Sequence, residues 1–68
     1  MAITLEQMLN LIWGGDTVSI QDGKGDVRFY GMVTDFWKLP ESESKDVLLK
    51  TEVSRIRSYN YCTVILLK

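Results

Sequence analysis

The residues that could do chemistry in this chain are few. Histidine is absent and Cys62 is the single cysteine. Every Ser-His or Cys-His nucleophile is therefore excluded, and the commonest general base is missing. The same count excludes an intrachain disulfide and a Cys/His zinc site built from one chain. Cys62 opens the apolar run Cys62-Thr63-Val64-Ile65-Leu66-Leu67, where a thiolate is disfavoured and a packing role is expected. Carboxylates are plentiful, at Asp16, Asp22, Asp26, Asp35, Glu41, Glu43, Asp46 and Glu52. Most fall at caps and turns, where local hydrogen bonding accounts for them. Gly23-Lys24-Gly25 is too short for a phosphate loop, and its neighbours Asp22 and Asp26 would repel phosphate. The same segment lacks the bidentate acid of a calcium loop. The expectation is a protein that is not an enzyme and holds neither cofactor nor metal.

Contact chemistry is better represented. Arg55 and Arg57, with Lys50 nearby, form the one basic cluster, and Tyr59 and Tyr61 follow. Basic residues interleaved with aromatics can hold single-stranded nucleic acid. A net charge of −1 gives that reading no support elsewhere in the chain, so nucleic acid is not an expected partner. The favoured reading of the arginines is a solvated strand face paired with the acids of residues 41–46. The larger side chains are more suggestive. Trp13 ends the first helix beside its apolar stripe, Tyr30 and Met32 share one face of a strand, and Trp37 lies in a segment too short to bury it alone. Tyr, Trp, Met and Arg are enriched in the buried centres of interfaces. The candidate partner-binding set is Tyr30, Met32, Trp37, Trp13, Arg55 and Arg57. Two readings of the aromatics are nearly balanced: an exposed interface, slightly favoured, or a second face covered by the middle of the chain.

The elements that must position these residues follow from periodicity. Thr4-Leu5-Glu6-Gln7 fits a capping box, with Ile3 and Met8 at the positions of a hydrophobic staple. Leu5, Met8, Leu9 and Ile12 then recur at helical spacing. A helix over residues 4–13 is predicted, ended by Gly14 and Gly15 in the left-handed cap conformation. Residues 16–21 alternate, with Val18 and Ile20 on one face. Asp22 to Asp26 reads as a type I turn with a bulge at Gly25. Residues 27–34 resume the alternation, with Val27, Phe29 and Val33 facing the core and Arg28, Tyr30 and Met32 facing away. Asp35 is placed to cap a short helical turn that Pro40 stops. Residues 41–45 read as a loop or irregular helix start, and Ser44 as the cap of a short helix over 47–50. Residues 52–57 form a bulged strand, 58–60 a turn, and 62–67 a strand apolar on both faces that suits the middle of a sheet.

Together these predict one small α+β domain over residues 1–68. The N-terminal helix lies on one face of a three- to four-stranded, mainly antiparallel sheet. So short a chain buries only roughly 60 % of its unfolded surface, which makes a partner or self-association the natural extra support. Residues 1–6 lack the basic region of a secretory leader, and the longest apolar run, residues 61–67, is too short to cross a bilayer. A soluble, cytoplasmic protein with no membrane contact is expected.

The layout Thr4-Leu5-Glu6-Gln7-Met8-Leu9, Asp16-Thr17-Val18-Ser19-Ile20, Phe29-Tyr30-Gly31-Met32-Val33 and Glu52-Val53-Ser54-Arg55-Ile56 resembles the short accessory proteins of phages and integrated mobile elements of bacteria. Some of those block host defence, among them anti-CRISPR proteins, by occupying a surface of their target. The resemblance implies a non-catalytic, protein-binding inhibitor of a host protein, and the near-neutral charge points away from DNA mimicry. Two other classes remain: a nucleotide binder at a homo-oligomer interface, using Arg55, Arg57 and a stacking aromatic, and a structural subunit.

Overall fold

A computed structural model describes residues 2–68 of the chain. Helix α1 (Leu5–Leu11) begins where its capping box predicts. Thr4 Oγ1 accepts from the Gln7 N–H at 3.3 Å, and Gln7 Oε1 accepts from the Thr4 N–H at 3.0 Å. Leu5 and Leu9 are fully buried, while Met8 and Ile12 pack at the margin of the core. The helix stops sooner than the predicted residue 13, because Ile12 is already extended at φ −95°. Gly14 and Gly15 do not act as left-handed caps; they make room. A Cβ on Gly14 would sit 2.7 Å from Thr34 Cγ2, and one on Gly15 would sit 2.8 Å from the Trp13 ring. The backbone runs close here because the Thr34 N–H donates to the Gly14 carbonyl at 3.1 Å and the Val33 N–H to that of Asp16 at 3.0 Å.

Strands β1 (Thr17–Gln21) and β2 (Val27–Met32) form the predicted hairpin. The Gly25 N–H donates to the Asp22 carbonyl at 3.0 Å, Gly25 takes φ +88°, and the pairing shifts register beside Gln21. That is the expected turn and bulge, at a position where glycine has no steric penalty. Strand β2 ends two residues earlier than predicted. The chain passes directly from Met32 into helix α2 (Val33–Trp37), so Val33 reaches the core from a helix rather than from a strand. The N-cap of α2 is Met32, with no side-chain hydrogen bond. Asp35 lies inside the first turn, where its charge suits the helix dipole but caps nothing.

Helix α3 (Glu43–Lys50) starts before the predicted helix and is capped by Ser42, not Ser44, through the Lys45 N–H at 3.1 Å. Strand β3 (Val53–Tyr59) is bulged between Val53 and Arg55, and strand β4 (Cys62–Leu67) returns antiparallel to it. The turn between them is Asn60-Tyr61 rather than residues 58–60. Both residues have positive φ, 44° and 64°, the mark of a type I′ hairpin.

The strand order is β2-β1-β4-β3, with one parallel pairing, β1 to β4, between two antiparallel ones. The apolar β4 is thus interior, as its two-sided hydrophobicity predicts. Leu5 and Leu9 of α1, Val33 and Phe36 of α2 and Leu49 of α3 join Val18, Ile20, Ile65 and Leu67 in one buried cluster. All three helices therefore lie on the same face of the sheet. Val27, expected in that core, is instead 56 % exposed at the edge.

Candidate binding surface

Side chains alternate across a strand, so the residues next to Val18, Ile20, Ile65 and Leu67 point away from the helices. Register groups them into rows across the sheet. Arg57, Val64, Ser19 and Tyr30 form one row; Tyr59, Cys62, Thr17 and Met32 form the next; Arg55, Leu66 and Gln21 lie on the other side of the first. No element of the described chain covers them. Tyr30 is 69 % exposed, Met32 43 % and Tyr59 70 %, while Val64, Leu66 and Cys62 form a half-buried floor. A depression of about 350 Å³ there is lined by Gln21, Arg57, Ser58, Tyr59, Val64 and Leu66.

The face carries positive charge and no acid among its rows. Arg55 and Arg57 form no ion pair among the described residues. The predicted pairing with the acids of residues 41–46 is not made, because those acids lie on the helix side of the sheet and Glu41 instead meets Lys45. The thiol of Cys62 belongs to this face rather than to the core, with its Sγ 3.9 Å from the Thr63 carbonyl.

Of the six residues singled out from sequence, Tyr30, Met32, Arg55 and Arg57 share this face. Trp37 does not. It travels with α2 to the other side of the sheet, where its ring meets Phe36 edge-on with centroids 6.0 Å apart. Trp13 stands in the connection between α1 and β1 and is 77 % exposed. Tyr59, which sequence places beside the arginines but in a turn and outside the partner-binding set, belongs to β3, and alternation puts it on this face next to Arg57. Lys45 also lies outside that set. It is 5 % exposed, and its ammonium donates to the carbonyls of Trp37 at 3.1 Å and Leu39 at 2.9 Å and to Glu41 Oε1 at 3.4 Å. It ties the end of α2 to α3, and no local pattern in sequence marks it.

A depression of about 570 Å³ lies between β2 and α3 and is lined by Val27, Arg28, Glu43, Ser44, Val47 and Leu48, none of them in the sequence-derived set. Among the described residues no cluster of His, Cys, Asp or Glu is placed to hold a metal ion, and no helix is long and apolar enough to cross a membrane. In the β1–β2 turn, burial pushes the Asp22 carboxyl up. Hydrogen bonds from the Asp26 and Lys24 N–H groups and the charges of Arg28 and Lys24 outweigh it, holding the group below the ordinary aspartate range. Comparison with protein-family models, curated proteins and solved structures found no match.

Proposed function

We propose that this protein is a non-catalytic protein-binding module whose contact surface is the open sheet face. One observation carries the reading: three helices cover one side of the sheet, and the other side presents Tyr30, Met32, Tyr59, Arg55 and Arg57 over an apolar floor. That mixture of aromatic, Met and Arg side chains is the composition of interface centres. The layout resemblance to phage and mobile-element accessory proteins makes a host protein, a defence protein among the candidates, the expected target of such an inhibitor.

Affinity capture on immobilised wild-type protein, run beside Arg57→Glu and Tyr30→Ala/Met32→Ala, tests this. The substituted side chains are exposed, so the variants keep the fold, which circular dichroism checks. A discrete host protein retained by wild type and lost from both variants is the expected result. Equal retention by all three forms removes the face from consideration. A nucleotide recovered from the purified protein by mass spectrometry moves the assignment to the small-ligand class.

A further inference from the structure

Strand β3 is an outer strand that no helix covers, and every residue from 54 to 59 is exposed. At its start the Val53 N–H donates to the Ile3 carbonyl at 2.7 Å. Over residues 54–59 no backbone bond from another segment of the described chain reaches its outer side. That leaves an unpaired edge roughly 20 Å long, with alternate N–H and C=O groups open to an added strand. The opposite edge, β2, is bulged beside Val27, which spoils it as a template.

Charge selects what pairs there. Arg55 and Arg57 stand on one side of β3, roughly 7 Å apart, with no carboxylate within ion-pair distance. An added strand sets one residue directly opposite each. A second copy of β3 fits poorly. In the two-fold registers that overlap most of the strand, Arg55 meets Arg57 or one of them meets itself, and like charges directly opposite destabilise. A single-stranded nucleic acid would satisfy the arginines but cannot pair with alternating backbone donors and acceptors.

We infer that β3 accepts, by antiparallel strand addition, an extended acidic segment of a partner protein. That segment carries carboxylates at two alternate positions, opposite Arg57 and Arg55, and an apolar or aromatic side chain opposite Tyr59. The inference rests on the protein-binding reading above and names the chemistry of the partner.

The test uses fluorescein-labelled Thr-Phe-Thr-Glu-Thr-Glu-Thr, its counterpart with Lys in place of Glu, and oligothymidylate, each titrated by fluorescence anisotropy at low salt. Wild type is expected to bind the Glu peptide, with amide shifts at residues 54–59 in NMR spectra. Arg55→Glu/Arg57→Glu should lose at least about tenfold of that affinity and gain the Lys peptide, since two favourable pairs become two repulsive ones. Methylating the peptide's edge-facing amides should abolish binding. The inference is overturned if neither peptide binds, if the double variant binds the Glu peptide as wild type does, or if oligothymidylate alone binds. It is also overturned if Arg55→Thr/Arg57→Thr self-associates in sedimentation while binding the peptide undiminished, because the arginines then serve only to blunt the edge. Should the peptides fail while Tyr30→Ala/Met32→Ala still loses a captured host protein, this inference falls and the face remains the binding surface.

Discussion

Lys45→Met isolates a single stabilising device, because methionine keeps the buried stem and removes the ammonium. Lys45 donates to two backbone carbonyls at 2.9 and 3.1 Å and to a carboxylate at 3.4 Å. A hydrogen bond to a charged group contributes about 1.5–3 kcal/mol. The gross loss is therefore several kcal/mol, and two effects reduce it. Trp37 and Leu39 are more than a third exposed, so water can reach their carbonyls once the ammonium is gone. The variant also escapes the cost of desolvating a charge. The Glu41 carboxylate, 86 % exposed, adds at most about 1 kcal/mol. The net expectation is a loss of about 2 kcal/mol. A domain of this size has a total stability of only about 3–10 kcal/mol. The corresponding fall in Tm is roughly 8–16 °C. Urea denaturation followed by tryptophan fluorescence reads it, since Trp37 sits at the clipped end of α2. Glu41→Gln serves as control and should change stability by less than about 1 kcal/mol. A Lys45→Met variant within about 0.5 kcal/mol of wild type would refute the view that this ammonium holds α2 to α3.

Gly14→Ala should destabilise by about 1–3 kcal/mol through the 2.7 Å approach to Thr34 Cγ2, and adding Thr34→Ser, which deletes that methyl, should recover most of the loss in a denaturation double-mutant cycle. Tyr61→Gly should raise stability by about 0.5–1 kcal/mol, because Tyr61 sits at φ 64° with its side chain fully exposed, so left-handed strain is relieved and no packing is lost; an unchanged urea midpoint would show that the strain is absent. Asp22 titrates below its unfolded value, so its contribution to stability is present above that value and disappears as pH falls through the lower, folded one. An NMR titration of the side-chain carboxyl carbons should find its midpoint below that of an ordinary aspartate, and in Asp22→Ala the acid-side loss of stability should shrink.

Local pattern determined most of the elements. The capping box of Thr4 and Gln7, the alternation around Val18 and Ile20, the Asp22–Gly25 turn and the apolar β4 all depend on neighbours within a few residues, and each stands where periodicity and turn chemistry put it. Errors fell where distant contacts decide. Gly14 and Gly15 look like a helix cap, but Thr34 packs against Gly14 from across the domain and the Trp13 ring lies over Gly15. Val33 reads as the next core position of a strand, yet the chain turns into α2 after Met32 and the helix carries that residue inward. Lys45 looks like one more surface lysine until α2 and α3 meet around it. The candidate surface was half legible. Alternation placed Tyr30 and Met32 opposite the core and Arg55 and Arg57 on one strand face, since side-chain direction has period two. That these four share one open face, joined by Tyr59 and left by Trp37, follows from the β2-β1-β4-β3 order and from three helices packing on the same side. Strand order and helix side are set by the burial of residues far apart in sequence, and only the tertiary structure decides them.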